Sequence, residues 1–150
     1  MKPEHVFELR VVPKADGSFG CALYQLPPVD SLKHTGSAIQ VSRIHGWRLG
    51  LAQAAIHRVL QSARYKPSDL RLTRKTPFRL SEEQGIRLDL IFHAIQVLSK
   101  RERMEEIIVG IMAMSREEVY YWHGKTMLHD GSRSVKGIIA LRVLLGGETR

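Results

Sequence analysis

Three times in the second half of this chain, a serine is followed three residues later by glutamine or glutamate: Ser81 with Gln84, Ser99 with Glu102, and Ser115 with Glu118. In that spacing the serine hydroxyl accepts from a backbone N–H at the start of a helix, and the longer side chain reaches back to the serine's own N–H. Each pair stands before a run of helical periodicity, so three helix starts are set within four residues of sequence. In the first run Leu88, Ile91, Phe92, Ile95 and Leu98 make an apolar stripe, with Asp89, His93, Gln96 and Lys100 as the opposite, polar face. In the second the stripe is Met104, Ile107, Ile108 and Ile111. A further helix is expected from Ser132 or Ser134, carrying Val135, Ile138, Ile139, Leu141 and Leu145 and ending at Gly146-Gly147. The boxed segments do not resemble one another, which rules out a repeat array.

The first half has a different period. In "VFELRVV" Phe7, Leu9 and Val11 alternate with Glu8 and Arg10, the pattern of a half-buried strand. Asp16-Gly17 supplies a turn, "FGCALYQL" returns as a second strand, and Pro27-Pro28 ends it. Residues 29–46 read as irregular. A helix is expected from Trp47 to Arg64, with Leu49, Ala52, Ile56, Val59 and Leu60 as its stripe and Gly50, Ala54 and Ala55 allowing close contact; Pro67 ends the run. "LRLTRKTPFRL" is either a third strand or an extended basic connection. An isolated hairpin is marginal, so these strands must pack on the helices. The expectation is one α+β domain over residues 1–150: an antiparallel hairpin, with or without a third strand, packed on a helical group. Residues 1–79 form its basic β/α part and 80–147 its helical part.

Charge is distributed unevenly. Of a net charge of +8, the stretch from Lys33 to Arg79 holds ten basic residues against one acid, Asp69, so it carries +9 and the rest of the chain −1. A concentrated basic segment suits a polyanion, because neutralised phosphates release counterions. The residues expected to make the contact are Arg64, Lys66, Arg71, Arg74, Lys75 and Arg79, supported by Arg48 and Arg58. A half-dozen phosphate contacts make affinity fall by about 10³ or more between 50 and 200 mM salt, with weak sequence preference. The partner class is nucleic acid, DNA or RNA. The rival is an acidic surface on a larger protein, with an exposed hairpin edge extending a partner's sheet.

Signatures of chemistry are scarce. No zinc-protease, P-loop, nucleophile-elbow or dinucleotide-binding pattern occurs. The seven histidines are scattered and the single cysteine, Cys21, rules out a cysteine-based zinc site, so neither metal nor cofactor is expected. Cys21 shares a strand face with Phe19 and Leu23 and reads as a buried, inert thiol. Asp89 and His93 lie one helical turn apart, as a surface ion pair or an acid–base dyad. Tyr120, Tyr121 and Trp122 follow the third box on one helix, where successive side chains point about 100° apart. They cannot form one stacking platform and read as packing residues on several sides; Tyr121 falls with Glu117 and Lys125. An enzyme would have to use Asp89, His93, or Tyr121 with Lys125. No apolar run approaches the roughly 18 residues that span a bilayer, and "MKPEHVFELR" lacks the apolar stretch of a signal peptide. The chain reads as cytoplasmic.

The stretches "FRLSEEQGIRLDLIFHAI", "RMEEIIVGIMAMSREEVYYW" and "IIALRVLLGG", from Phe78 to Gly147, resemble an uncharacterised bacterial domain family. The most specific part runs from Met114-Ser115 through Glu117-Glu118 to Tyr121-Trp122, followed by Ala140-Leu141-Arg142 and Leu144-Leu145. The family is associated with gene clusters for defence against phage or other foreign DNA. The resemblance implies an accessory subunit beside helicases, nucleases or methyltransferases, and it brings no catalytic residues. Together with the charge, it leads to the expectation of a non-enzymatic, nucleic-acid-binding accessory subunit, or else an adaptor in a larger complex.

Overall fold

A computed structural model describes residues 5–16, 19–27, 38–44, 47–66, 76–97, 101–127 and 133–146. Its elements run β1 (Val6–Pro13), β2 (Phe19–Leu26), β3 (Ile39–Ile44), α1 (Trp47–Ser62), β4 (Thr76–Leu80), α2 (Glu82–Val97), α3 (Arg101–Ala113), α4 (Arg116–Lys125) and α5 (Val135–Gly146). The four strands form one antiparallel sheet in the order β3-β2-β1-β4. The α+β class and the N-terminal hairpin are as the sequence reads.

β3 corrects the reading of 29–46 as wholly irregular. Its signal is weak because Val41 is an extra residue: Leu23 pairs with Ser42 and Tyr24 with Gln40, leaving Val41 bulged between them. The "LRLTRKTPFRL" alternative resolves at its end, where β4 starts at Thr76; residues 67–75 lie outside the described ones. The hairpin has no free edge, since β3 covers β2 and β4 covers β1. That removes sheet extension from the hairpin as a docking mode.

Strand alternation sorts the sheet. Phe7, Leu9, Val11, Cys21, Leu23, Ile44, Phe78 and Leu80 are buried on the face that meets the helices. Burial pushes the Cys21 thiol up to about 12, so it stays protonated at neutral pH. Glu8, Arg10, Val12, Tyr24, Arg43 and Arg79 belong to the other face, and all are at least partly exposed.

α2 is the central helix, touching all four strands and all four other helices. Two of the three expected caps lie among the described residues, and both form. Ser81 N–H donates to Gln84 Oε1 at 2.9 Å and Gln84 N–H to Ser81 Oγ at 3.3 Å. Ser115 and Glu118 make the same reciprocal pair at the start of α4. Ser134 Oγ accepts from Gly137 N–H at 3.1 Å and opens α5; Ser99 lies outside the described residues.

Two members of the expected polar face of α2 are buried; Gln96 is exposed, as expected, and Lys100 lies outside the described residues. Asp89 and His93 are 1% and 3% exposed, because the middle of α2 is covered by α4, α5 and β3 on the side that they occupy. Gly85 is buried in the first turn of α2, where an added Cβ would overlap the Phe7 side chain of β1. Gly85→Ala is expected to cost about 1–3 kcal/mol by forcing helix and strand apart. The check is a lowered denaturant midpoint with an unchanged m-value.

Candidate nucleic-acid interface

The eight basic residues expected to bind phosphate fall in three groups. Arg58, Arg64, Lys66 and Arg79 are described and exposed. Arg48 lies in the first turn of α1, with its side chain outside the described ones, and Arg71, Arg74 and Lys75 lie outside the described residues altogether.

Arg64, Lys66 and Arg79 are brought together by the residue between the first two. The Tyr65 hydroxyl donates to the Arg79 carbonyl at 3.1 Å and accepts from the Arg79 N–H at 2.6 Å, while its ring meets Phe78 edge-on at 5.1 Å. β4 is an edge strand, so those two backbone groups point away from the sheet and need partners. One phenol supplies both and clamps the end of α1 to the sheet. Arg64 and Lys66 thereby flank the residue that grips Arg79.

The end of α1 is itself unusual. Tyr65 N–H donates to the Leu60 carbonyl at 3.2 Å and Arg64 N–H to the Gln61 carbonyl at 3.0 Å, with Arg64 at φ 66°. This is the Schellman ending, whose left-handed position glycine fills at least steric cost. An arginine there gives up some stability for a charge at that point. Arg58 stands on the exposed side of α1, six residues earlier.

The open sheet face adds Arg10, a cation outside the dense segment, beside Arg43 from within it. Ala22 lies between Arg10 of β1 and Arg43 of β3 in register, about 10 Å apart by two strand spacings. Arg79 of β4 lies opposite Glu8, one step along from Arg10. Arg10 is held by Glu8, with Nε to Oε1 at 2.6 Å, and its guanidinium lies 3.9 Å over the Tyr24 ring. The Tyr24 hydroxyl donates to Gln40 Oε1 at 3.2 Å. The signal for Arg10 was its parity: it alternates with Phe7, Leu9 and Val11, so it must face away from the core.

The candidate acid–base residues are assembled differently from their reading in sequence. Asp89 pairs with His123 of α4, Nε2 to Oδ2 at 2.7 Å, and with Arg133, whose Nη2 donates to Oδ1 at 2.6 Å. The same Nη2 donates to the carbonyl of the bulged Val41 at 2.8 Å. Burial pushes the Asp89 carboxyl up, but the hydrogen bonds from His123 and Arg133 outweigh it and hold the group below its usual range. His93 is pushed down to about 4, first by burial and then by the charge of Arg133. The cluster ties α2 to α4, to the segment before α5 and to β3, which is the work of a strut. Tyr121 is 57% exposed, with Lys125 Nζ 5.6 Å from its ring and Trp122 edge-on at 5.4 Å, apart from the buried acid. Tyr120 instead turns inward, donating to Glu82 Oε1 at 2.9 Å. Among the described residues, no three His, Cys, Asp or Glu gather to hold a metal ion, and no helix is long and apolar enough to cross a membrane.

A family model described as a domain of unknown function (DUF7680) matches residues 7–147. The chain belongs to this family. The match extends beyond the C-terminal stretches that carried the resemblance, so the sheet and the basic corner of this DUF7680 chain lie within the family's span. Comparison with curated proteins and with solved structures finds no match.

Proposed function

We propose that this DUF7680 protein is a non-enzymatic accessory subunit that binds nucleic acid through phosphate contacts. The observation that carries the reading is the corner at Tyr65, where the residue between Arg64 and Lys66 binds the backbone of Arg79, a member of the sheet face that also bears Arg10 and Arg43. Of the acids on that face, Glu8 is engaged by Arg10. The defence setting implied by the C-terminal resemblance gives such a subunit a place beside a helicase, nuclease or methyltransferase acting on foreign nucleic acid.

Neutralising Arg64, Lys66 and Arg79 together to glutamine is expected to weaken binding evenly across sequences. Each lost contact takes about 0.7–0.9 from the slope of log affinity against log salt. All three side chains are exposed, so the fold should survive. Arg64→Gly alone separates the two roles of that residue: affinity falls, while stability rises by about 0.5–1 kcal/mol as the left-handed backbone is relieved. Binding identical to the parent chain in the triple variant would remove the corner from the interface.

One observation favours the adaptor reading. Val135, Ile139, Val143 and Leu144 of α5 are 46–58% exposed, an apolar side that a larger protein would cover. Recovery of a stable partner with the chain from its native host, lost on Ile139→Lys, is the result this reading predicts.

A further inference from the structure

We infer that the outer face of the sheet takes single-stranded nucleic acid in preference to a duplex, with one base seated over Ala22 between Lys14 and Arg43. This rests on the nucleic-acid reading above and goes beyond it by naming the strand state and the slot. The outer side of β2 runs Gly20, Ala22, Tyr24: two of the smallest residues, then a ring. A glycine within a strand weakens it and marks places where a ligand approaches the backbone closely. A cavity of about 310 Å³ opens there, lined by Val12, Lys14, Gly20, Cys21, Ala22 and Arg43. Its volume is at the small end for ligand sites. Its floor is β2 backbone and the buried Ala22 methyl, and two cations, Lys14 and Arg43, stand among its walls.

That combination matches one nucleotide: a flat ring against the floor and its phosphates at the cations. The Arg10 guanidinium, stacked on Tyr24 and anchored by Glu8, adds a second planar, charged surface on the same side of the sheet. Arginine planes and aromatic rings are the surfaces on which splayed bases stack. A duplex keeps its base faces stacked inside and would meet this face through its phosphates alone. It would leave the slot unused. The basic corner at Arg64, Lys66 and Arg79 lies beyond Arg10 at the far edge of the sheet, where a continuing backbone would run.

The test uses the full chain with a labelled single strand of about 12 nucleotides, within the span one small domain covers, and a duplex of the same length, at one fixed salt concentration. The single strand is expected to bind at least about tenfold tighter. Ala22→Leu, which fills the slot, should weaken single-strand binding roughly fivefold or more, the loss of about one stacked base, and leave duplex binding unchanged. Tyr24→Leu, at a half-exposed position, is the second variant and should act in the same direction if Ala22→Leu fails to fold. Equal or tighter duplex binding, or single-strand binding untouched by the variants, overturns the inference while leaving the phosphate reading in place. Failure of both probes to bind overturns both.

Discussion

Replacing Asp89 with alanine is expected to cost about 3–5 kcal/mol, the range for stranding a buried charge by removing its partner. The carboxylate is 1% exposed and holds two groups from distant parts of the chain, His123 and Arg133. Without it the Arg133 guanidinium keeps its bond to the Val41 carbonyl but loses its link to α2, and its charge is left without the acid that balanced it. Set against a total stability of about 5–15 kcal/mol for a domain, this is a severe loss, equivalent to a fall in melting temperature of roughly 10 °C or more. Changing Asp89 to leucine and Arg133 to methionine together should cost less than the acid alone, because no orphan charge remains. A thermal melt of Asp89→Ala within a degree or two of the parent would contradict the strut.

Stability should also fall as pH drops below about 6.5, well above the range where ordinary carboxylates titrate. An unfolded imidazole takes up its proton near 6.5, but folded His93 resists until about 4. Between those values the unfolded state binds more protons, so lowering the pH favours unfolding. The full effect is on the order of 3 kcal/mol. The groups facing His93 are Asp89 on its own helix, His123 of α4 and Arg133, and the Arg133 charge works with burial against protonation. Asp89 acts in the same direction at lower pH: its depressed folded carboxyl contributes stability above its unfolded value of 3.8, lost as pH falls through the folded one. His93→Gln should flatten the denaturation midpoint between pH 6.5 and 4. A parent chain equally stable at both ends of that range would contradict the assignment.

The parts legible in sequence were those decided within a few residues. The Ser81 and Ser115 boxes settle their own geometry in four residues, and the alternation of Phe7, Leu9 and Val11 needs only the neighbours in between. β3 was hidden because the bulge at Val41 breaks the two-residue period that would have revealed it. Asp89 and His93 were read as a solvent face because periodicity says which residues share a side and not what that side meets. Their partners lie 34 and 44 residues away in the case of Asp89. A hint was there: the two stand inside a run, Leu88 to Ile95, whose other members are all apolar. The basic corner needed the fold too, since the Tyr65 hydroxyl on the edge of β4 joins the residue between Arg64 and Lys66 to the backbone of Arg79. Counting charge along the chain found the dense segment and missed Arg10, which reaches the same surface from the first strand.

A salt titration of binding to a short single strand tests the basic face most directly. With about six phosphates neutralised, log affinity should fall against log salt with a slope near −4. A slope close to zero, or no binding at low salt, would contradict the account.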